Sequence, residues 1–135
     1  MPEMDDYNAK VIRQFRSNAG VVDGYDGYLL LTTIGAKSGE QRTNPVVYQP
    51  GEDGVLYVFA SRAGSPRNPD WYHNLVANPR VVVERGTQKF DAVATTVSGP
   101  KRDEVYARQI EALPVFREYQ EKTDRVIPVV ELRPV

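Results

Sequence analysis

The sequence predicts a mainly β chain with helices, of the α+β class: a small barrel of about six mostly antiparallel strands with helices packed around it. Three observations carry this. Short apolar or alternating runs follow one another mostly through turn-length gaps, which favours antiparallel pairing. Helical patterns fall at the N-terminus, after the third strand and late in the chain. They do not alternate regularly with strands as a doubly wound sheet requires. The 135 residues hold no internal repeat, low-complexity tract or linker, so one domain, 1–135, is expected, with residues 1–20 as an N-terminal helix packed on it.

The elements follow in order. Asp5 to Asn18 places Tyr7, Val11, Ile12 and Phe15 on one side of a helix, and Gly20 is a natural stop. The basic residues on its other faces allow contact with a membrane surface, but the short apolar side favours packing on the barrel. Tyr28 to Ile34 carries Leu29, Leu30 and Leu31 in a row, so this strand is expected to be buried on both faces. Thr43 to Tyr48 is the second strand, and Pro45 must sit where no ladder hydrogen bond is needed. In Val55 to Ser61, Val55, Tyr57 and Phe59 face one way and Leu56, Val58 and Ala60 the other. Asn68-Pro69-Asp70 opens a short helix, with Asn as cap and Pro at the first helical position. It should stop before Pro79. Arg80 to Glu84 and Lys89 to Ser98 are the fourth and fifth strands. Ser98-Gly99-Pro100 opens a helix to about Leu113, Pro114 restarts a helical segment, and Val126 to Leu132 is the last strand.

Composition excludes several chemistries. There is no cysteine and one histidine, His73, which rules out a thiolate nucleophile, a disulfide or a His/Cys zinc centre within the chain. A net charge of −1 gives no global basic field for nucleic acid. No apolar run approaches the ~20 residues that span a bilayer, and the Met-Pro-Glu start lacks the order of a signal peptide, so a cytoplasmic location is expected. His73 has no Ser or Cys partner in sequence, so a hydrolytic triad is unsupported.

Chemistry is concentrated between Leu29 and Asn74. Gly35-Ala36-Lys37-Ser38-Gly39 is not a Walker loop, because Ala36 precedes Lys37 and a strand follows where a helix should. It remains a Gly-rich turn with exposed N–H groups, to which Lys37 and Arg42 add charge. Read alone, it is better explained as a plain solvated hairpin loop than as an anion site. A second loop supplies Ser61, Arg62, Gly64 and Arg67, and the helix after it carries Trp71 and Asn74. Two cationic loops beside an aromatic helix suit a ligand with an anionic tail and a flat ring. Phe116 and Tyr119 are core caps or the edge of an apolar substrate pocket.

Taken together, LLLTTIGAKSG..R..P, then FASRAGSP..PDWYHNL.ANP, then VIPVVELRP resemble the deazaflavin-dependent nitroreductase family. The resemblance runs from Tyr28 to Pro134. It implies a split β-barrel oxidoreductase that uses coenzyme F-420 and reduces an electron-poor small molecule such as a quinone, enone or nitro compound. It implies that Lys37, Ser38, Gly39 and Arg42 hold the phosphate and polyglutamate tail. Pro45 and Val47 would line the ring pocket, Ala60, Ser61 and Arg62 would meet ring edge and tail, and Asp70, Trp71 and Asn74 would bracket the cofactor. Phe116 stands where some relatives carry a tyrosine, which leaves Tyr119 or water as the proton source. Val47 and Asp70 also differ from some relatives, a tyrosine and an apolar residue respectively. A carrier protein with little turnover and an FMN enzyme on the same barrel are the alternatives. Homodimerisation is common among related split barrels. The hydride chemistry belongs to the cofactor, and the protein supplies placement and electrostatics.

Overall fold

The computed structural model describes residues 2–135, with side chains described from residue 6 onward. Its elements are α1 (Pro2–Ser17), β1 (Tyr28–Ile34), β2 (Gln41–Pro50), β3 (Leu56–Phe59), a short 3-10 turn (Arg62–Gly64), α2 (Asp70–Ala77), β4 (Arg80–Arg85), β5 (Gln88–Val97), α3 (Gly99–Ala112), α4 (Val115–Glu121) and β6 (Val129–Pro134). The six strands close a barrel in the order β1-β2-β3-β6-β5-β4, every pair antiparallel. Closure gives every strand a neighbour on both sides over at least part of its length.

The period-2 patterning decides what each face meets. Leu29, Leu31, Leu56, Val58, Ala60, Val81, Val83, Val130 and Leu132 point into the barrel and form one buried cluster with Trp71 and Leu75. Leu30, on the opposite face of β1, packs with Val11, Phe15 and Val22 under α1. This explains the three leucines in a row: β1 is buried by the barrel interior on one side and by a helix on the other. Likewise Val55, Tyr57 and Phe59 face outward and are covered by α3 and α4 through Val105, Tyr106 and Phe116.

Four expectations are corrected. Tyr7 is 58% exposed and does not join Val11 and Phe15 in the helix seam. β2 is longer than expected, running from Gln41 to Pro50. β6 starts at Val129 rather than Val126, since Pro128 lies before the ladder and its carbonyl accepts from the Ala60 N–H. Asn68 does not cap α2: Pro69 is the N-cap, and the Asn68 side-chain oxygen is taken by Arg125 at 2.7 Å.

β2 sets up the site. Its register with β1 covers Gln41 to Val47, whereas β3 joins it only from Tyr48 to Pro50. The other edge of residues 41–47 therefore has no strand partner, and β2 splays from β3. Pro45 sits in this stretch, opposite Leu30, with no β3 partner beyond it. The gap between β2 and the chain leaving β3 is a cleft.

Candidate functional site

The cleft has a volume of about 580 Å³, within the range of small-molecule and cofactor sites. Asn44 to Val47 of β2 form one wall. Ser61, Arg62 and Ala63 lie on the opposite side, Pro69, Asp70 and Trp71 come from the start of α2, and Phe116 and Tyr119 from α4. Asn8, Tyr25 and Tyr28 line it from the α1 side.

The 60–68 loop that carries Arg62 is unusually built. Arg62 (φ 44°) and Ala63 (φ 52°) are both left-handed, a conformation that costs a non-glycine residue free energy and persists only where the surroundings fix it. Two contacts fix it. Gly64 (φ 81°) lies so close to α4 that an added Cβ would come within 2.7 Å of the Tyr119 carbonyl oxygen. Arg125, on the segment before β6, spreads its guanidinium over the loop. Its Nε donates to Ser65 O (2.9 Å), Nη1 to Ala60 O (3.0 Å) and Asn68 Oδ1 (2.7 Å), and Nη2 to Ser61 O (2.8 Å). Sequence reading missed Arg125, which stands 57 to 65 positions from its partners. Burial draws its pKa down, partly offset by nearby Tyr106. The Tyr106 hydroxyl, pushed up to about 12 by burial against the opposing pull of Arg102 and Arg125, stays protonated. It donates to the Phe116 carbonyl at 2.6 Å and so anchors the start of α4.

The 35–40 turn is tied at both ends. Gly35 N donates to Glu40 O and Gly39 N to Gly35 O, and Ser38 Oγ accepts from Glu40 N. Lys37, Ser38, Gly39 and Arg42 are all exposed. The Arg42 guanidinium meets the Glu40 carboxylate at 3.2 Å, with both side chains largely solvated, a weak pair that an incoming anion can replace.

A family model described as F420H(2)-dependent quinone reductase matches residues 7–134. The chain belongs to that family. The F420H(2)-dependent quinone reductase Rv1261c of Mycobacterium tuberculosis is 40% identical over 116 residues, covering 82% of this chain and 76% of its own length. A solved F420-H2 dependent reductase, FDR-A, superposes with a TM-score of 0.71 at 40% identity, covering 79% of this chain and 94% of its own. A structure described as a domain-swapped dimer gives a TM-score of 0.73 at 35% identity and covers 97% of this chain and 99% of its own.

The quinone reductase family works with reduced coenzyme F-420, and the residues of this chain fit such a group. Pro45, Val47 and Trp71 offer flat apolar walls within the cleft. β2 runs from the cleft straight to Arg42 and the 35–40 turn, so cations for an anionic tail stand at one end of the ring-sized space. Of the expected site residues, Pro45, Val47, Ser61, Arg62, Asp70, Trp71, Phe116 and Tyr119 meet at the cleft. Lys37, Ser38, Gly39 and Arg42 lie beyond its end, not in its lining. Two placements are corrected. Ala60 is fully buried inside the barrel. Asn74 is 8% exposed, and its amide is used internally: Oδ1 accepts from Ala36 N at 3.0 Å and Nδ2 donates to Thr33 Oγ1 at 3.2 Å. Asn74 thus positions the cationic turn against α2. Its helical spacing from Trp71 showed a shared face but not that this face is turned inward.

Proposed function

We propose that this quinone reductase family member binds F-420 along β2 and reduces quinones in the cleft beside it. The observation that carries the reading is the split between β2 and β3, with exposed cations at its outer end and an aromatic interior. When bound, reduced F-420 supplies a hydride. Lys37 and Arg42, with the N–H groups of the 35–40 turn and the Ser38 hydroxyl, hold the anionic tail. Pro45, Val47 and Trp71 flank the ring, while Ser61 and Arg62 meet its edge and Asp70 stands at the helix start. Arg125 and Asn74 act one step back, each fixing a loop in place.

A quinone that gains a hydride needs one more proton to become a hydroquinone. Tyr119 borders the cleft with its ring 5.1 Å from that of Phe116, and its hydroxyl or a water supplies that proton. Phe116 adds an apolar wall and no donor, so nitro compounds, which consume more protons per reduction, are the poorer acceptors. α1 packs on the barrel, and among the described residues no helix is long and apolar enough to cross a membrane. We place the protein in the cytoplasm, with residues 1–135 as one cofactor-binding domain. The likeness to a domain-swapped dimer supports a homodimer.

Titration of the purified protein with F-420 and with FMN tests the cofactor assignment. Micromolar or tighter F-420 binding, FMN at least ten-fold weaker, and saturable F-420 oxidation with a quinone are expected. Preference for FMN would replace the cofactor, and tight F-420 binding without turnover would make the protein a carrier.

A further inference from the structure

The cleft is chemically polarised along β2. The tail cations sit at its Gln41 end. At the other end Val47 pairs with Tyr28, and Asn8 and Tyr25 complete the lining there. Arg42 and Val47 stand five positions apart on β2, about 17 Å at the rise of a strand. An anionic tail anchored at Arg42 thus places the flat ring mid-cleft and leaves the Tyr28 end beyond it. Among the described residues lining the cleft, Arg62 is the one cation, and it belongs to the opposite wall. Among the described residues, the lining at the Tyr28 end offers neutral donors, two phenols and an amide.

We infer that Asn8, Tyr25 and Tyr28 form an acceptor subsite whose neutral donors hydrogen-bond the carbonyl oxygens of a quinone; this rests on the quinone reductase reading above. The rings of Tyr25 and Tyr28 meet edge to face at 5.3 Å, which fixes the two rings relative to each other. The Tyr25 hydroxyl makes no side-chain hydrogen bond among the described residues, unlike Tyr106, whose hydroxyl is taken by Phe116 O at 2.6 Å. The Tyr28 hydroxyl is hydrogen-bonded to that of Tyr7, a further neutral phenol, so these two act as a pair that shares its donors. Burial raises the pKa of both Tyr25 and Tyr28, so both stay protonated and remain donors near neutral pH. Neutral donors suit neutral carbonyls that become oxygen-rich and partly negative as they are reduced. They favour a quinone over a carboxylated or phosphorylated acceptor, which would call for a cation at this end. Aromatic side chains of the opposite wall, Phe116 and Tyr119, cover the acceptor ring.

The experiment uses Tyr25→Phe, Tyr28→Phe, the double variant and Asn8→Ala, with menadione as the probe. Phenylalanine keeps each ring, and at position 28 its packing against the Val22 and Leu30 cluster, so the hydroxyl alone is tested. Trp71 is the chain's one tryptophan and lines the same cleft, so quenching of its fluorescence reads menadione binding without turnover. Each single change should weaken menadione about three-fold and the double change about ten-fold. Melting temperature and F-420 affinity should stay at the wild-type values, and KM for menadione should rise more than kcat falls. Unchanged menadione affinity in the double variant overturns the subsite. So does an F-420 affinity that falls as much as that for menadione, since that end would then hold the cofactor. A wild-type protein that binds no F-420 and reduces no quinone with it sinks the underlying reading, and the subsite with it. Normal wild-type binding and turnover beside indifferent variants sinks the subsite alone.

Discussion

Arg125 makes the strongest set of contacts at the site, with four acceptors on one loop held by one guanidinium. A planar fork satisfies such diverging acceptors, and an ammonium cannot. Arg125→Ala leaves three carbonyls and an amide oxygen without this donor and should destabilise the protein by about 2–3 kcal/mol. It also releases Arg62 and Ala63 from the left-handed turn. Arg125→Lys keeps the charge but reaches fewer acceptors, so it should recover only part of the stability and part of the F-420 affinity. Urea unfolding and F-420 titration of both variants check this, and a lysine variant equal to wild type in both would show that charge alone matters. At the tail end the outcome is different. Lys37→Ala and Arg42→Ala remove exposed side chains, so stability should hold while each lost charge-assisted contact weakens F-420 by about 1.5–3 kcal/mol. Equal F-420 affinity in both variants would remove the tail from this loop. The physical difference is legible only in part from sequence: exposure of a Gly-rich cationic turn is expected from its composition, but the partners of Arg125 are not.

α1 shows how an element is fixed to the barrel. Val11 and Phe15 bury its apolar side against Val22 and Leu30. At its end Gly20, with φ 89°, approaches Gly86 so closely that a Cβ would meet the Gly86 Cα at 2.8 Å. Arg16 then reaches Glu84 of β4 through two bonds, Nε to Oε1 at 3.0 Å and Nη2 to Oε2 at 2.8 Å. Arg16 holds the Glu84 carboxyl below its usual pKa of 4.5 against the opposing effect of burial. A depressed carboxylate contributes stability above its unfolded-state pKa and loses it as pH falls through the folded value. Because the Arg16 side chain is 52% exposed, screening limits the pair to about 0.5–1 kcal/mol. Glu84→Gln should therefore cost about that much at pH 7, and its difference from wild type should shrink as pH falls from about 4.5 through the lowered folded value. Unfolding curves from pH 7 to pH 3 measure it, and a gap undiminished at pH 3 would mean the ion pair is not its source. Because α1 also carries Asn8 to the cleft, its docking bears on the acceptor end of the site as well as on stability.

For the whole molecule, a net charge of −1 means that attraction to an anionic cofactor is local to Lys37, Arg42 and Arg62, not a property of the protein's overall field. Screening distinguishes the two ends of the cleft. F-420 affinity should fall several-fold between about 50 mM and 500 mM salt as the Debye length shrinks, while menadione affinity at the tyrosine end should hold. Parallel titrations at the two ionic strengths check this, and a salt-independent F-420 affinity would show that the tail charges are not read. The sequence by itself determined the strand faces, the inward and outward sets on β1 and β3, the placement of the helices and the cationic turn. Each of these is written in spacing of two or about four residues, which is local. Only the tertiary structure decided where β2 parts from β3, that Asn74 turns inward, and that Arg125 reaches a loop some sixty positions away. It also decided that Asn8, Tyr25 and Tyr28 face the same cleft as Trp71 and Tyr119. Such meetings depend on which strands pair when the barrel closes and where that pairing stops, and spacing along a single chain does not encode them.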